Sequence, residues 1–364
     1  MKKSKISNIQ LSLLAIGFFH GSTTIANPAI GAKRDSWIAI IIGTIGGFLL
    51  VTMYLYISKL NNGRSLSEII EYCFGKICGF ILCFFYILYF LYKAMLNARY
   101  FGEFMVTVSY PETPLIVLLS ILIICTVYMV RSGLAVIGKT SEILVPLLPL
   151  AIFTVTLSLL NLSDFTGLKP VLLEITPVLV AAVDIMTSIF GDFIIFLMIL
   201  PYTNNEKGRF KASYIALVIT GLLLAIITTR NIQIIGPTLL EFVAYPSHIA
   251  AQMIPGISID PLVDMNLLFG GGYKVGICLY AICRITADLF RLKEYKPLVS
   301  AYGLLIVVSS ILIFPDAIQM QRWSKAYISI FLSLPFQLLF PVLLLVITIV
   351  KNKRKTDGLK TGTG

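Results

Sequence analysis

Apolar stretches long enough to cross a membrane alternate with short polar segments along the whole chain. A membrane-spanning α-helix needs about 20 mainly apolar residues. Ten stretches come close to that length, which predicts an all-α polytopic membrane protein with ten transmembrane helices. The predicted spans cover residues 9–32, 36–58, 79–107, 113–130, 138–160, 177–202, 210–229, 264–288, 297–315 and 328–350.

Two of these spans are interrupted by residues that disfavour a regular helix, and they occupy matching positions in the two halves of the chain. Span 1 is interrupted at 21–24 and span 6 around 188–192. Inside a bilayer, unwound backbone is tolerated only where protein or water satisfies its polar groups. Paired interrupted spans are the best sequence indication of the substrate site in transporters built from inverted repeats. We therefore expect a small-molecule site between the broken helices 1 and 6.

The spans divide into two groups of five, at residues 9–160 and 177–350. Because five is odd, two copies of such a unit face opposite ways across the membrane, so a five-plus-five inverted repeat is expected. We treat residues 1–364 as a single transmembrane domain. The segment 351–364 is basic and then rich in Gly and Thr, which predicts a disordered cytoplasmic tail.

Composition and charge placement support a membrane protein over a nucleic-acid-binding one. The chain is 57% hydrophobic and 13% charged, with a mean hydropathy of +0.91 and a net charge of +11. Most Lys and Arg residues fall in the segments that share one side with the N-terminus, and few, Arg230 among them, fall in the other segments. By the positive-inside rule this bias predicts that both termini are cytoplasmic.

Cysteine and histidine usage gives no indication of metal or redox chemistry. The six cysteines form no CxxC pair, and the two histidines form no HExxH motif. Small buried core residues are the ordinary interpretation of such cysteines. We therefore expect no cofactor, no metal site and no enzymatic activity.

The first interruption supplies candidate ligand-binding groups. Gly21 permits unusual backbone angles, and the hydroxyls of Ser22, Thr23 and Thr24 can bond a ligand or freed backbone groups. A half-helix following the interruption would direct its free N–H groups and positive dipole end at a carboxylate. An ordinary kink packed against a neighbour is the alternative. His20, beside the interruption, is either a local hydrogen-bonding group or a proton switch.

The second interruption contains Phe190, Gly191 and Asp192, which we assign to the substrate site. An ionisable group at membrane depth is expensive and functional by default. Asp192 could face a substrate ammonium, carry a proton, or pair with an intramembrane cation as a structural ion pair. Asp184, two turns earlier, is expected in the vestibule.

Spans 3 and 8 contain further polar residues at membrane depth. Tyr92 and Lys93 lie near the middle of span 3 and are candidates to line the cavity, Tyr92 for substrate binding and Lys93 for coupling or gating. Arg99 and Glu103 are spaced i,i+4 and can neutralise each other as a structural or gating pair.

In span 8, Lys274 follows a run of three glycines. Its ammonium could replace the sodium ion that bridges spans 1 and 8 in sodium-coupled transporters of this architecture. It could instead pair with Asp192, Asp264 or Asp288.

Several short motifs, in this order and spacing, resemble the spore germination permease family, the B subunits of endospore germinant receptors. They are Gly21…Pro28…Ala32-Lys33-Arg34-Asp35-Ser36-Trp37-Ile38, Pro111-Glu112-Thr113-Pro114, Leu168-Lys169-Pro170-Val171-Leu172, Phe190-Gly191-Asp192, Asp260-Pro261…Gly271-Gly272-Tyr273-Lys274 and Phe314-Pro315-Asp316. The family belongs to the amino acid–polyamine–organocation superfamily. The resemblance implies a subunit of the inner spore membrane that senses small germinants such as amino acids, together with A and C subunits.

The sequence is compatible with three functions. The leading one is a germinant-sensing subunit whose ligand, an amino acid or similar small molecule, binds between spans 1 and 6. A proton-coupled amino acid secondary transporter needs the same cavity. A ligand-gated conduit for water or ions would be lined by the same polar groups.

Overall fold

The computed structural model describes residues 5–24, 28–204, 206–256, 258–314, 316–317, 319–320 and 331–361. The side chains of Ser22, Thr24 and residues 354–361 are outside this description, as are Asn27 and Pro315. Within these residues, regular structure consists of α, 3-10 and π helices, with one isolated β-bridge between Ile6 and Thr203.

Thirteen α-helices follow one another along the described residues. They are α1 Asn8–His20, α2 Ser36–Leu60, α3 Leu66–Val108, α4 Leu115–Ser132, α5 Leu134–Leu144, α6 Leu147–Ser158, α7 Ile175–Ile185, α8 Glu206–Ile235, α9 Pro237–Leu240, α10 Pro246–Gln252, α11 Asp260–Leu289, α12 Leu298–Ile313 and α13 Phe340–Thr361. Short 3-10 helices cover Gly21–Thr24, Ile30–Asp35, Leu160–Leu162, Phe165–Leu168, Gly191–Met198 and Leu200–Tyr202, and π-helical turns cover Met186–Phe190 and Pro335–Leu339. α13 includes residues 351–361 of the segment that the sequence predicts to be a disordered tail. The disorder of this tail stays a prediction.

Eight helical segments are long and apolar enough to cross a membrane, which confirms a multi-pass membrane protein. Two shorter apolar helices, α1 and α12, occupy the positions of the first and ninth predicted spans. At about 1.5 Å per residue, the 13 residues of α1 reach only about two-thirds of the roughly 30 Å hydrocarbon thickness. α1 is therefore too short to cross a membrane by itself.

α11 is the most deeply buried of the spans, and it packs against α3, α1 and α4. Small residues allow this close packing, as is usual between helices in membranes. A Cβ atom on Gly270 would lie 2.9 Å from the backbone nitrogen of Gly21, so only glycine lets α11 approach the first interruption this closely.

The first interruption differs from its prediction. We expected a half-helix after it, but the described residues form only the 3-10 turns Gly21–Thr24 and Ile30–Asp35. Lys33, inside the second turn, has a non-helical φ of 52°. A half-helix dipole directed at a ligand is therefore wrong for the described residues.

The second interruption is a change of helical winding and not an unwound segment. The chain passes from α7 through the π turn Met186–Phe190 into the 3-10 helix Gly191–Met198, and Gly191 keeps right-handed helical angles (φ −64°, ψ −29°). The prediction located the irregularity correctly but mistook its nature. Single π turns inside helices occur frequently at functional sites.

The segment between α8 and α11 consists of the short helices α9 and α10 and turns. Arg230, however, lies on α8 and not in a loop, because α8 extends to Ile235. Its side chain is buried at 3% exposure. The prediction that Arg230 lies outside the spans, in the segment after span 7, is therefore wrong.

Tight packing between α2 and α7 yields the first testable prediction. A Cβ atom on Gly43 would lie 2.7 Å from Cβ of Ile185 and 2.8 Å from the carbonyl oxygen of Ala182. Because backbone cannot move aside cheaply, we expect Gly43→Ala to lower the free energy of unfolding by about 1–3 kcal/mol. The measurement is the thermal unfolding midpoint of the purified protein in detergent.

Gly272→Ala is the matched control, since no atom lies within 4 Å of its Cβ position. Helix propensity alone then favours alanine by about 1 kcal/mol, so this midpoint should stay or rise. A Gly43→Ala midpoint at or above that of the wild type would contradict the packing.

Candidate functional site

Asp192 is a buried carboxylate held between two lysines. It is the second residue of the 3-10 helix Gly191–Met198 and is 3% exposed. Oδ1 lies 2.9 Å from Nζ of Lys93 on α3, and Oδ2 lies 3.2 Å from Nζ of Lys274 on α11. The two lysines are 6% and 3% exposed. Burying these charges is tolerable only because they are paired.

Two neutral side chains complete the coordination of Oδ1. The hydroxyl of Tyr89, one turn before Lys93 on α3, donates to it at 3.0 Å. Nε2 of Gln337, in the π turn Pro335–Leu339, donates to it at 2.8 Å. We call Asp192, Lys93, Lys274, Tyr89 and Gln337 the Asp192 cluster. It joins the second interruption to α3, α11 and the last span.

A second layer of contacts fixes the cluster. The ring of Phe336 stacks on that of Tyr89 with centroids 4.6 Å apart. From α2, Tyr54 shares its hydroxyl hydrogen between the carbonyl oxygens of Gln337 (2.6 Å) and Gly191 (3.2 Å). A Cβ on Gly191 would collide with the carboxamide of Gln337, so the cluster requires glycine at this position.

Lys274 connects the cluster to the first interruption. A Cβ atom on Gly21 would lie 2.7 Å from Cδ of Lys274, and the Lys274 ammonium lies 5.4 Å from the ring centroid of Phe18 on α1. Gly21 also has a φ of +22°, which L-residues with a side chain rarely adopt. The two interruptions therefore meet at Lys274, although the sequence left its partner open among three aspartates.

The other two candidate partners of Lys274 are engaged elsewhere. Asp264 lies 3.0 Å from Nδ1 of His248. Asp288 pairs with Arg284 at 3.3 Å. Of the three candidate aspartates, only Asp192 pairs with Lys274.

The Asp192 cluster contains two lysine ammonium groups and one carboxylate, which is one more positive than negative charge. Asp184, two turns earlier, interacts electrostatically with Lys93 but is not within ion-pair distance of it. Its Oδ1 is buried and has no hydrogen-bond partner among the described residues. The hydroxyl of Tyr92 and Oε1 of Gln337 are likewise buried without partners in this part of the chain. The site thus offers unused acceptors beside two lysines that share a single paired carboxylate.

The remaining predicted binding residues have local contacts. Thr23 donates its hydroxyl to the carbonyl oxygens of Phe19 (3.0 Å) and His20 (2.7 Å) and so terminates α1. Phe190 packs edge-on against Phe19 at 5.2 Å and against the backbone of Gly47.

The side chains of Ser22 and Thr24 lie outside the described residues. The ligand contacts assigned to these residues stay predictions.

Arg99 and Glu103 form the predicted i,i+4 pair, with Nη2 and Oε1 2.6 Å apart. Nη1 of Arg99 also donates to the carbonyl oxygen of Ser310 at 3.2 Å. These bonds attach α3 to α12, away from Asp192. His20 donates from Nδ1 to the carbonyl oxygen of Ile16 at 3.0 Å, which leaves Nε2 as a buried acceptor without a partner among the described residues.

Gln337 and Tyr89 were missing from the predicted site. Tyr89 shares a helix face with Lys93, since they are spaced i,i+4. Gln337 is a lone amide two residues after Pro335 inside an apolar span. A proline followed by a polar residue inside an apolar span is the sequence pattern that could have indicated Gln337 as a site residue.

Comparisons with known proteins agree with this architecture. A family model described as spore germination protein matches residues 5–318. The chain is 32% identical to spore germination protein KB of Bacillus subtilis, over 98% of this chain and 97% of that protein. It is 26% identical to spore germination protein XB of Bacillus anthracis, over 96% and 99% of the two chains.

Solved structures with a similar fold are transporters. A Na⁺-coupled sialic acid symporter in a substrate-bound outward-open state aligns with a TM-score of 0.69 at 12% identity, over 96% of this chain and 89% of that chain. A nucleobase-cation-symport-1 family transporter, closed around bromovinylhydantoin, aligns with a TM-score of 0.67 at 12% identity, over 93% and 79%. At such identities the similarity extends to the fold alone.

The charge balance of the Asp192 cluster yields a prediction. Asp192→Asn leaves two buried lysines without their shared carboxylate. Breaking a buried ion pair in this way costs about 3–5 kcal/mol, so we expect a strongly lowered thermal unfolding midpoint in detergent.

Combining Asp192→Asn with Lys93→Met and Lys274→Met removes all three charges and should recover most of the loss. Glu112→Gln, at an exposed position, is the control that leaves the midpoint unchanged. A wild-type midpoint for Asp192→Asn would mean that the ion pairs do not stabilise this fold.

Proposed function

The chain belongs to the spore germination protein family, and on this premise we propose that it is the germinant-sensing subunit of a spore germinant receptor. Its ligand is a small molecule, an amino acid in our proposal, bound between the two interrupted spans. The observation that carries the proposal is the meeting of Gly21, Lys274 and Asp192, where both interruptions and an excess positive charge coincide. Irregular backbone at membrane depth is characteristic of a binding cavity.

The chemistry of the site favours a zwitterion. A ligand carboxylate would balance the excess positive charge of Lys93 and Lys274, next to the backbone at Gly21. A ligand ammonium would bind Asp184, whose Oδ1 has no hydrogen-bond partner among the described residues. Tyr92 offers a hydroxyl for further contacts. In an α-amino acid, the ammonium and the carboxylate are attached to the same carbon atom. This arrangement matches a site that offers lysine ammonium groups and the Asp184 carboxylate.

The same proposal includes the arrangement in the membrane. The chain has ten spans, with α1 and α12 counted, in a five-plus-five inverted repeat at 9–160 and 177–350. Both termini lie on the core side of the inner spore membrane, and α10 lies on the outer side. Ligand binding favours one conformation through its differential affinity. The A and C subunits of the receptor transmit that change, and the chain itself catalyses no reaction.

A secondary transporter is the second candidate, because the fold is shared with two cation-coupled transporters. Uptake of a stabilising ligand into proteoliposomes containing this chain alone would favour it. Ligand binding without uptake would favour the sensor.

Ligand-induced stabilisation of the purified protein tests the site. A compound that binds only the folded form raises the thermal midpoint, with about 2.7 kcal/mol gained at 100 times its dissociation constant. Among amino acids, nucleosides and sugars, we expect an amino acid to stabilise the wild type. Gly21→Ala and Lys274→Met should lose this response, because the first displaces Lys274 and the second removes its charge.

Gly272→Ala, in the same helix as Lys274 but with open space at its Cβ, should retain the response. If both Gly21→Ala and Lys274→Met are still stabilised by the amino acid, the ligand binds at another site. If no compound stabilises the chain alone, the proposal that this chain binds the germinant by itself fails.

The position of Lys274 predicts sodium independence. Its ammonium already pairs with Asp192 where the first interruption meets α11, which is where a coupling cation would be expected. Ligand-induced stabilisation should therefore be equal in sodium and in choline buffers of the same ionic strength. Loss of the response in choline would show that the lysine does not substitute for the ion.

A further inference from the structure

Arg230 is a buried cation without a counter-ion among the described residues. It lies five residues before the end of α8 and is 3% exposed. Its Nε and Nη2 donate to Oδ1 of Asn231 at 3.2 and 2.8 Å. Asn231 is neutral, and no described carboxylate lies within ion-pair distance of the guanidinium. A guanidinium stays protonated in proteins, so the charge cannot be lost by titration.

The other buried cations follow a different rule. Lys93 and Lys274 share Asp192, and Arg99 pairs with Glu103. These three cations, like Arg230, are at most 6% exposed. Buried charges in membrane proteins are normally paired because leaving water without a partner is unfavourable. Arg230 is therefore the exception within the described part of the chain.

The guanidinium is held in a fixed orientation. Nδ2 of Asn231 donates to Oγ of Ser247 at 3.2 Å, which orients the carboxamide oxygen towards Arg230. Ser247 belongs to α10, so Arg230 lies where α8 meets this short helix. Two of the five N–H donors of Arg230 are used by Asn231, and Nη1 donates to no described residue. The remaining donors form the planar fork that binds carboxylates and other anions.

This position is distinct from the Asp192 cluster. α1 and α8 run side by side in the same direction, since Asn8 lies against Gly208 and α8 also contacts the segment Gly21–Thr24. At about 1.5 Å per residue, Gly21 is level with roughly residue 221, and Arg230 lies about 13 Å further towards α10.

We propose that Arg230 forms a second binding site, for a small soluble monoanion such as a carboxylate or a halide, where α8 meets α10. The bound anion supplies the missing counter-charge and stabilises the packing of α10 on α8. The site goes beyond the proposed function, because it needs neither the germinant nor the partner subunits.

Anion-dependent stability of the purified protein tests the site. The thermal midpoint is measured in a neutral detergent while acetate or chloride replaces a bulky sulfonate at constant ionic strength. We expect a saturable rise of about 2–4 °C for the wild type. A rise with acetate alone identifies a carboxylate site, and a rise with both anions identifies one that accepts halides as well.

Three variants separate a binding role from a structural one. Arg230→Met should lose the saturable response and, in the sulfonate buffer, should be at least as stable as the wild type, because an uncompensated charge has been removed. Arg230→Lys should keep a weaker response. Arg131→Met, at an exposed arginine, should respond like the wild type.

Two results would overturn the proposal. One is a wild-type midpoint that neither anion changes. The other is an Arg230→Met protein that is less stable than the wild type by the same margin in every buffer, or that fails to fold, since this would make Arg230 a structural cation. The amino acid response at Lys274 is measured separately on the wild-type protein, so failure here and failure of the germinant site are distinguishable.

Discussion

The buried carboxylate of Asp192 is the interaction on which the arrangement of the spans depends. Helices in a bilayer gain little from hydrophobic burial against one another, because lipid tails are as apolar as their side chains. A charged group among them must therefore find partners or it destabilises the fold. Asp192 finds four, from α3, α11 and the π turn Pro335–Leu339. Segments far apart in sequence are held at one point because their charges and amides share one carboxylate.

Several departures from α-helical winding lie around the same point, although α3 also bends at Gly75, where φ is 77°. The π turn Met186–Phe190 precedes Asp192, and the π turn Pro335–Leu339 carries Gln337 towards it. Gly21 and Gly270 let the end of α1 approach α11, and Lys274 extends across their contact. Departures from α-helical winding expose backbone groups that lipid cannot satisfy. Their concentration beside a polar cluster gives those groups neighbours, and it leaves a place where a charged ligand can be accommodated.

Much of this site could be predicted from the sequence because ionisable residues are conspicuous in apolar spans. Asp192, Lys93 and Lys274 were recognisable in this way, and glycine at 21 and 191 indicated irregular backbone. The partner of Lys274 was not predictable, since three aspartates were available and only the tertiary packing selects one. Gln337 was overlooked because one uncharged amide hardly changes the hydropathy of its span.

Two further differences show where sequence reasoning lacks the required information. The turns after His20 were expected to form a half-helix, since the apolar character continues to Ala32, but apolar character alone does not specify the winding. Arg230 was expected in a loop because charges at span ends usually are. Its burial depends on α10 packing over α8, through Asn231 and Ser247. Such contacts join residues of separate helices, so no local pattern in the sequence predicts them.

A structure of the protein determined with the stabilising amino acid would locate the binding site. We expect the ligand beside Gly21, with its carboxylate within hydrogen-bond distance of the Lys274 ammonium and its ammonium facing Asp184. Asp192 should remain paired with Lys93. A ligand bound elsewhere, with only protein atoms around the Asp192 cluster, would contradict this binding site. The cluster would then have a structural role alone.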